Sequence, residues 1–310
     1  MNGKITVIGA GNVGGAVTRR LIERKLCKKV VLVDRTPGKA EGIALDILEA
    51  SPVDLLEPVC VSGDDMEQTR NSDIVVLTAG TTRKEGMTRD DLLRINAGIV
   101  RECISKAAQY SPYAFYIIVS NPLNVMCHVA MRAAQIPRTR ICGMAGILDA
   151  CRFQYFISKE LAVSVENVQA MVLGEHGEDM VPVPRYSTVA GIPVTELMPS
   201  EKLLELIKRT RDGGAEIIRL MHTSAFYAPA SAVIQMVSAV VMDKKKILPC
   251  TTYLTGEYGI SDTFVGVPVK LGANGVEEIR EIELTDEERT ALLKSAEKIR
   301  TQLALIGESC

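Results

Sequence analysis

The sequence has no tryptophan, only five phenylalanines and only three histidines among its 310 residues. It also has no excess of one charge, because 36 Lys and Arg face 38 Asp and Glu and leave a formal net charge of -2. A chain without a basic surplus has no general attraction for nucleic acid or for anionic lipid, so neither is an expected partner. Attraction for a small anionic molecule must therefore come from local arginines.

Long hydrophobic runs are also missing. The longest candidate, residues 232–242, is shorter than the ~18 apolar residues of a membrane span, and three lysines follow it, so we expect a buried helix and no membrane. The N-terminus, MNGKITVIGAGNVGG, lacks the features of a signal peptide. Eight cysteines are scattered without a C-x-x-C pair, which favours free thiols in a reducing cytoplasm. Cys127 precedes His128, but no second pair completes a metal site, so no metal is expected.

The first half of the chain alternates apolar runs with helical patterns. The runs are continuous rather than alternating in polarity, which indicates strands buried on both faces of a parallel sheet. This order predicts a doubly wound, Rossmann-type α/β fold. Strands are predicted at 4–8, 30–34, 74–78 and 114–120, and helices at 13–24, 38–49 and 90–109.

The second half has a different pattern, so we expect a separate α+β region that begins near residue 145. A helical pattern over 201–221 is interrupted by two glycines, and an apolar helix follows at 230–242. The segments 251–258, 263–271 and 276–282 resemble an antiparallel meander. Thr285 and Glu288 can form a capping box for a last helix. Its buried stripe is predicted to contain Leu292, Leu293, Ala296, Ile299, Leu303 and Ile306.

A glycine-rich turn follows the first predicted strand. Gly9, Gly11 and Gly14 form G-x-G-x-x-G between a strand and a helix, the context in which a helix N-terminus binds a pyrophosphate. Asp34 ends the second strand, where its carboxylate can accept hydrogen bonds from the ribose hydroxyls of NAD and repel the phosphate of NADP. Arg35 beside it can offset part of that repulsion, but NAD remains the favoured cofactor.

Small residues close the third predicted strand at Thr78-Ala79-Gly80. Such residues let a strand end lie close beneath a ligand, and a plain turn from strand to loop is the alternative. The charged, glycine-containing segment 81–89 follows. It lies where a doubly wound fold places ligands, and it can be either a mobile lid or a solvated loop.

His176 is the strongest acid–base candidate. It follows an apolar run in Leu173-Gly174-Glu175-His176-Gly177-Glu178. Because this segment is flanked by glycines, local packing gives little reason for a histidine here, and histidine is the usual acid–base residue near neutral pH. His128 lies in an apolar helical pattern that favours a core role, and His222 is expected to be structural. Asp149 and Arg152 are three residues apart and share one helix face, which is consistent with a site or with an ordinary ion pair.

Together these segments resemble the lactate/malate dehydrogenase family over essentially the whole chain. The matching segments are 9–14, Asp34, 80–89, Ser120-Asn121-Pro122, Leu148-Asp149-Ala150-Cys151-Arg152 and Gly174–Glu178. The resemblance implies an NAD-binding Rossmann domain over 1–145 and a catalytic domain over 146–310. It also implies a homo-oligomer, with a tetramer favoured over a dimer because the chain is most similar to the lactate-dehydrogenase-like malate enzymes.

The resemblance also implies a role for each residue that matches. His176 is the expected proton donor, and Asp149 orients it and stabilises its charged form. Arg152 is expected to bind the substrate C1 carboxylate, and Arg89 to polarise the carbonyl when the loop closes. Substrate contacts are also expected from Asn121, before a cis proline bond, and from Ser224, although Met221–Ala225 departs from the family pattern. The expected NAD contacts are Gly9, Gly11, Asn12, Val13, Gly14, Asp34, Thr78, Ala79, Gly80, Asn96, Val119 and Asn121.

Arg83 is the predicted substrate selector. The matching family position is uncharged in lactate enzymes and Arg in malate enzymes, so the resemblance implies interconversion of malate and oxaloacetate. A desolvated second carboxylate needs a cation, whereas pyruvate would leave Arg83 unpaired. Glu85 departs from the usual proline of malate enzymes and can weaken the attraction for a dianion.

Three alternatives remain open from the sequence. A lactate or broader 2-hydroxyacid dehydrogenase would prefer pyruvate over oxaloacetate. An NAD- and metal-dependent glycosidase would need metal-binding Cys and His residues. A non-catalytic NAD sensor would not need the full set of Asp, His and Arg residues.

Overall fold

The computed structural model describes residues 3–57, 60–82 and 86–308. Within these ranges there are fourteen strands and nine α-helices. The strands are β1 Lys4–Ile8, β2 Lys29–Val33, β3 Cys60–Gly63, β4 Ile74–Leu77, β5 Phe115–Ile118, β6 Ile141–Gly143, β7 Val168–Gln169, β8 Val172–Gly174, β9 Met180–Pro182, β10 Thr188–Val189, β11 Ile192–Pro193, β12 Lys246–Thr255, β13 Ser261–Gly272 and β14 Gly275–Ile279. The helices are α1 Asn12–Glu23, α2 Lys39–Asp54, α3 Arg89–Tyr110, α4 Leu123–Ala134, α5 Gly146–Leu161, α6 Val194–Leu197, α7 Ser200–Met221, α8 Tyr227–Val241 and α9 Asp286–Leu305.

The first six strands form the parallel half of the sheet. Their spatial order is β3-β2-β1-β4-β5-β6, which is the doubly wound order of a Rossmann fold. Strands β4 and β5 are buried at every position, as their continuous apolar sequences predict. The predicted fold class is confirmed. The strand order reverses between β1 and β4, and ligands bind in the crevice beyond the carboxyl ends of such strands.

Strands β3 and β6 were not predicted. β3 is an edge strand, half-exposed and ending in glycine, so it lacks the apolar run by which a buried strand is recognised. β6 has only three residues, although all three are buried between β5 and β12. Neither strand has a continuous apolar run long enough to be recognised from its own residues. They are held by pairing with neighbours far away in sequence.

The same sheet continues into the second half of the chain. β12 pairs antiparallel with β6, and β12, β13 and β14 form the predicted meander. Helix α7 runs without a break through the glycine pair that was expected to interrupt it. The boundary between residues 145 and 146 coincides with the start of α5, and the division into two domains stays a prediction.

The last helix begins as its capping box predicts. The Thr285 hydroxyl accepts a hydrogen bond from the Glu288 N–H, and the Glu288 carboxylate accepts one from the Thr285 N–H. Four of the six residues in the predicted stripe are buried, but Leu293 is 43% exposed and Ile306 is only partly buried. Leu293 follows Leu292 directly and therefore points about a quarter of a turn away from the core.

Helix α8 is largely buried, as predicted for this apolar segment. In the described ranges, no helix combines the length and the hydropathy that spanning a membrane requires.

Candidate active site

Two adjoining cavities lie beyond the carboxyl ends of the parallel strands. The first has a volume of about 370 Å³ and is lined by residues from both halves of the chain, among them Asn121, Arg152, His176 and Ser224. The second has a volume of about 310 Å³ and is lined by the glycine turn and Asp34. Thr78, Gly80 and Thr81 line both cavities. Together they form an extended crevice at the switch point of the sheet, as expected for a dinucleotide site.

The glycine turn has the close approaches that its sequence predicts. Gly9 has a φ of +106°, and a Cβ built on Gly14 would lie 1.8 Å from the Gly9 carbonyl oxygen. A side chain at position 14 would therefore push α1 away from the turn. A Cβ built on Gly11 would meet no described protein atom within 4 Å. The backbone at Gly11 is thus open towards the cavity, where a pyrophosphate can approach α1.

Asp34 is bound to the glycine turn by its own side chain. Its Oδ2 accepts a hydrogen bond of 2.7 Å from the Ala10 N–H, and its Oδ1 accepts one of 2.9 Å from the Thr36 N–H. Burial raises the pKa of Asp34, but these hydrogen bonds and the nearby Lys39 lower it by more. The carboxylate is therefore ionised and lines the second cavity, where ribose hydroxyls can donate to it.

The ends of β4 and β5 are joined beneath the crevice. The Thr78 hydroxyl donates to the Gly9 carbonyl, and the Ser120 hydroxyl donates to the Ala79 carbonyl. Asn96 lines the first cavity, but its amide donates to the carbonyls of Thr81 and Asn121 and accepts from the Thr81 N–H. Asn96 thus joins two loops that border the expected nicotinamide position.

Of the remaining predicted NAD contacts, all but Asn12 line the same crevice. Asn12, the first residue of α1, is exposed. Val13 and Val119 line the first cavity, and Ala79 lines the second. Asn121 lines the first cavity, and its bond to Pro122 is cis, as expected.

Asp149 connects His176 with Arg152. Its Oδ2 lies 2.8 Å from His176 Nδ1, and its Oδ1 lies 3.1 Å from an Arg152 terminal nitrogen. The carboxylate is 1% exposed and lies in the first turn of α5, where a negative charge is favourable. His176 comes from the loop between β8 and β9, so the tertiary fold brings it to Asp149. An ordinary ion pair within one helix, the alternative left open by the sequence, would account for the contact between Asp149 and Arg152 but not for the contact between Asp149 and His176.

The environment of His176 favours its protonated form. Burial lowers the pKa of His176, but the charge and hydrogen bond of the Asp149 carboxylate raise it by more, so the net shift is upward. Because Asp149 accepts the Nδ1 proton, Nε2 is the nitrogen left to exchange a proton with a molecule in the cavity.

Arg152 is a cation held at the wall of the first cavity. Its side chain is only 13% exposed, and its buried Nε has no hydrogen-bond partner among the described residues. A buried guanidinium N–H without a partner is costly, and a carboxylate can satisfy it. Arg152 can therefore bind an anionic substrate beside His176.

Gly213 makes room for Arg152. A Cβ at position 213 would lie 3.1 Å from Arg152 Cδ and 3.4 Å from its Nε. Gly213 is therefore a site residue that the sequence pattern did not reveal. Its only signal was a glycine in the middle of an otherwise regular helix.

We expect Gly213→Ala to raise the KM for the anionic substrate about tenfold, because Arg152 must move by a few tenths of an ångström. Alanine favours a helix interior, so thermal stability should not fall. Steady-state kinetics and thermal unfolding measure the two effects. Gly98→Ala in α3 is the control, because its Cβ would meet no described atom within 4 Å. An unchanged KM in Gly213→Ala would contradict this role.

The segment 81–89 is only partly described. Arg83 and Glu85 lie outside the described residues. Arg89, the first residue of α3, is 78% exposed, and its terminal nitrogen lies 3.8 Å from the exposed Glu178 carboxylate. Arg89 thus lies beside the His176 loop but is not brought to His176 itself, as expected if the segment closes only over substrate.

The other two histidines lie outside the crevice. His128 is fully buried near the rings of Tyr253 and Phe264, and His222 is exposed at the end of α7. Over the ranges that the structure describes, there is no group of three or more His, Cys, Asp or Glu side chains that could hold a metal ion. The cysteines in these ranges are free thiols.

Several lining residues were not predicted from the sequence. Ile99 and Cys103 line the second cavity, one helical turn apart on α3. Their spacing of four residues could have revealed them, since it places both side chains on one helix face. Leu148, Ile218 and Pro229 line the first cavity. Their apolar character does not distinguish them from core residues.

Comparison with known proteins identifies the family. A model described as the NAD binding domain of lactate/malate dehydrogenase matches residues 3–143, and a model of the α/β C-terminal domain of the same family matches residues 147–308. The chain belongs to the lactate/malate dehydrogenase family. The predicted family and the NAD cofactor are confirmed, and the chain is an NAD-dependent oxidoreductase.

Relatives within this family include malate and lactate dehydrogenases. The malate dehydrogenase of Thermomicrobium roseum is 52% identical and covers 97% of both chains. The malate dehydrogenase structure from Salinibacter ruber is 45% identical, with a TM-score of 0.94 over 98% of this chain and 97% of that one. A lactate dehydrogenase from Cryptosporidium parvum is 32% identical, with a TM-score of 0.95 over 100% of this chain and 99% of that one. The family fold therefore does not distinguish the two substrates by itself.

Proposed function

We propose that the chain catalyses the reversible, NAD-dependent interconversion of (S)-malate and oxaloacetate. The observation that carries the proposal is the Asp149 carboxylate, which joins His176 and Arg152 at one wall of the crevice. This arrangement pairs a proton donor with a carboxylate-binding cation, as reduction of a 2-keto acid requires. Curated relatives of about 50% identity are named malate dehydrogenases, which favours oxaloacetate over pyruvate.

Different residues bind the cofactor, bind the substrate and transfer the proton. The glycine turn and Asp34 hold NAD, which supplies or accepts the hydride when it is bound. Arg152 binds the C1 carboxylate, and Asn121 and Ser224 contact the substrate from other walls of the cavity. His176 Nε2 gives a proton to the keto oxygen as the keto carbon is reduced, and Asp149 stabilises the charged ring until then.

Two arginines of the segment 81–89 complete the proposed site. We assign to Arg83 the second carboxylate of oxaloacetate, because a carboxylate removed from water needs a cation. Arg89 polarises the keto group when the segment closes and excludes water. Closure requires Arg89 to leave Glu178, an exposed and weak partner.

The raised pKa of His176 sets the pH dependence of both directions. Reduction requires the protonated ring, so its rate is kept at low pH and is lost as the pH rises through the pKa of His176. Oxidation of malate requires the neutral ring and is lost as the pH falls through the same pKa. The upward shift therefore extends reduction to a higher pH than an unperturbed histidine would allow.

The test is the loss of NADH absorbance with oxaloacetate and pyruvate at equal concentrations. We expect kcat/KM for oxaloacetate to exceed that for pyruvate by on the order of a thousandfold. A preference for pyruvate would favour the alternative of a lactate or broader 2-hydroxyacid dehydrogenase. Reduction of neither substrate by a protein that still binds NADH would refute the proposed reaction.

We also propose that the chain is a cytoplasmic homotetramer. Leu45, Val53 and Leu55 on and after α2 are each more than half exposed, which supports a subunit contact at this helix. The free thiols are consistent with a reducing compartment. Light scattering should give a mass near four times the 33.7 kDa of one chain. A dimer mass would contradict the tetramer, and activity outside the cytoplasmic fraction would contradict the location.

A further inference from the structure

The loop that carries His176 is a short connection between two antiparallel strands. Gly174 of β8 pairs with Met180 of β9, so residues 175–179 form the turn of a hairpin. Gly174 and Gly177 have φ values of +86° and +141°, which side-chain-bearing residues rarely adopt. The position of His176 therefore depends on what holds the two ends of this turn.

Helix α9 holds the first end. The N–H of Glu175 donates a hydrogen bond of 2.6 Å to the Ser295 hydroxyl. The Glu175 carboxylate is nearly buried and lies 2.8 Å from Lys298 Nζ. Glu175, the direct chain neighbour of His176, is therefore anchored to α9 by its backbone and by its side chain.

The same lysine holds the second end. Lys298 Nζ lies 2.6 Å from the Asp179 carboxylate, so one ammonium group bridges the residues at both ends of the turn. Lys294, one helical turn earlier on α9, lies 3.6 Å from Asp179 and is 77% exposed. Among the ion pairs of the described residues, Glu175 is paired with Lys298 alone.

We propose that Lys298 is a positioning residue for His176, acting through the clamp that it forms with Glu175 and Asp179. The role rests on the proposed function, since it matters only if His176 exchanges the proton. Asp149 holds the imidazole, and the clamp holds the backbone of its loop. The geometry needed for proton transfer is thus fixed by α5 and by the C-terminal helix together.

The clamp also keeps a negative charge beside the imidazole. Burial raises the pKa of Glu175, and Lys298 opposes that shift and favours the carboxylate. Among the described residues, the charged groups that face His176 are Asp149 and Arg152 on α5 and Glu175 in its own loop, while Asn124 of α4 accepts its backbone N–H. Glu175 and Asp149 raise the pKa of His176, and Arg152 lowers it.

The decisive readout is the pH at which kcat/KM for oxaloacetate reduction declines on the alkaline side. In Lys298→Met, buried Glu175 loses the cation that lowers its pKa, so its pKa rises further and it carries less negative charge beside His176. We expect the alkaline decline to move to lower pH by about 0.3–0.5 unit and kcat to fall about tenfold as the loop loosens. Lys298→Arg keeps the cation and should keep the wild-type pH profile.

Lys294→Met is the matched control, because it removes a lysine from the same helix without touching Glu175. Its pH profile should match the wild type. Glu175→Gln removes the negative charge without leaving an unpaired buried charge, so it remains informative even if Lys298→Met fails to fold. It should move the alkaline decline in the same direction, and circular dichroism checks the fold of every variant.

A folded Lys298→Met or Glu175→Gln with the wild-type pH profile would overturn the clamp. A lower kcat with an unchanged pH profile would mean that Lys298 only supports packing, and this result would also overturn the proposal. Failure of the wild type to reduce oxaloacetate would instead refute the proposed function. The two failures are therefore distinguishable in one set of assays.

Discussion

Replacing His176 by asparagine is expected to lower kcat for oxaloacetate reduction about 10³-fold. Asparagine cannot supply a proton near neutral pH, although its amide can still donate a hydrogen bond to Asp149. The affinity for NADH should be unchanged, because the glycine turn and Asp34 are untouched. Stopped-flow or steady-state kinetics measure the first effect, and NADH fluorescence titration measures the second.

His222→Asn is the matched control for this experiment. His222 is exposed, and its φ of +57° is one that asparagine accepts readily. Its kcat should stay close to that of the wild type. Full turnover in His176→Asn would mean that another group donates the proton, and the role of the Asp149–His176 pair would have to be abandoned.

The second large effect is expected for substrate choice. Arg83→Gln should lower the ratio of kcat/KM for oxaloacetate over pyruvate by about a hundred- to a thousandfold. The physical reason is that oxaloacetate then buries a carboxylate without a cation, whereas pyruvate no longer leaves a cation unpaired. Parallel kinetics with both substrates give the ratio directly.

Arg89→Gln provides the comparison, because it makes the same substitution in the same segment. Arg89 is assigned to the keto group that both substrates share, so its loss should slow both and leave the ratio nearly unchanged. If the ratio stays constant in Arg83→Gln, the selector is elsewhere in the segment. Glu85→Pro would then be the next variant, since Glu85 replaces the proline that is usual at this position in malate enzymes.

The sequence predicted the Rossmann half because its signals are local. Continuous apolar runs indicated β1, β2, β4 and β5, and the glycine turn with Asp34 indicated the dinucleotide crevice. Strands β3 and β6 carry no such run. They form because β2 and β5 provide hydrogen-bond partners for their backbones, and these partners are in place only when the sheet has assembled.

The candidate site was predicted only in part for the same reason. Asp149 and Arg152 are neighbours on one helix, so their spacing alone placed them together. His176 was recognised as chemically unusual, but its partner was known only through family resemblance. The roles of Gly213 and Lys298 were not predicted, because they depend on contacts with Arg152 and Glu175 that are distant in sequence.

The sequence by itself determined the doubly wound fold and the glycine turn with Asp34 that indicates an NAD site, whereas the roles of the acid–base and cationic residues came from its resemblance to a family. The fold and the glycine turn follow from apolar periodicity and glycine positions, which act over short distances along the chain. Only the tertiary structure decided that Asp149 bridges His176 and Arg152, that Gly213 makes room for the arginine, and that α9 clamps the histidine loop. Such contacts join segments far apart in sequence, and they form only when the core brings those segments together.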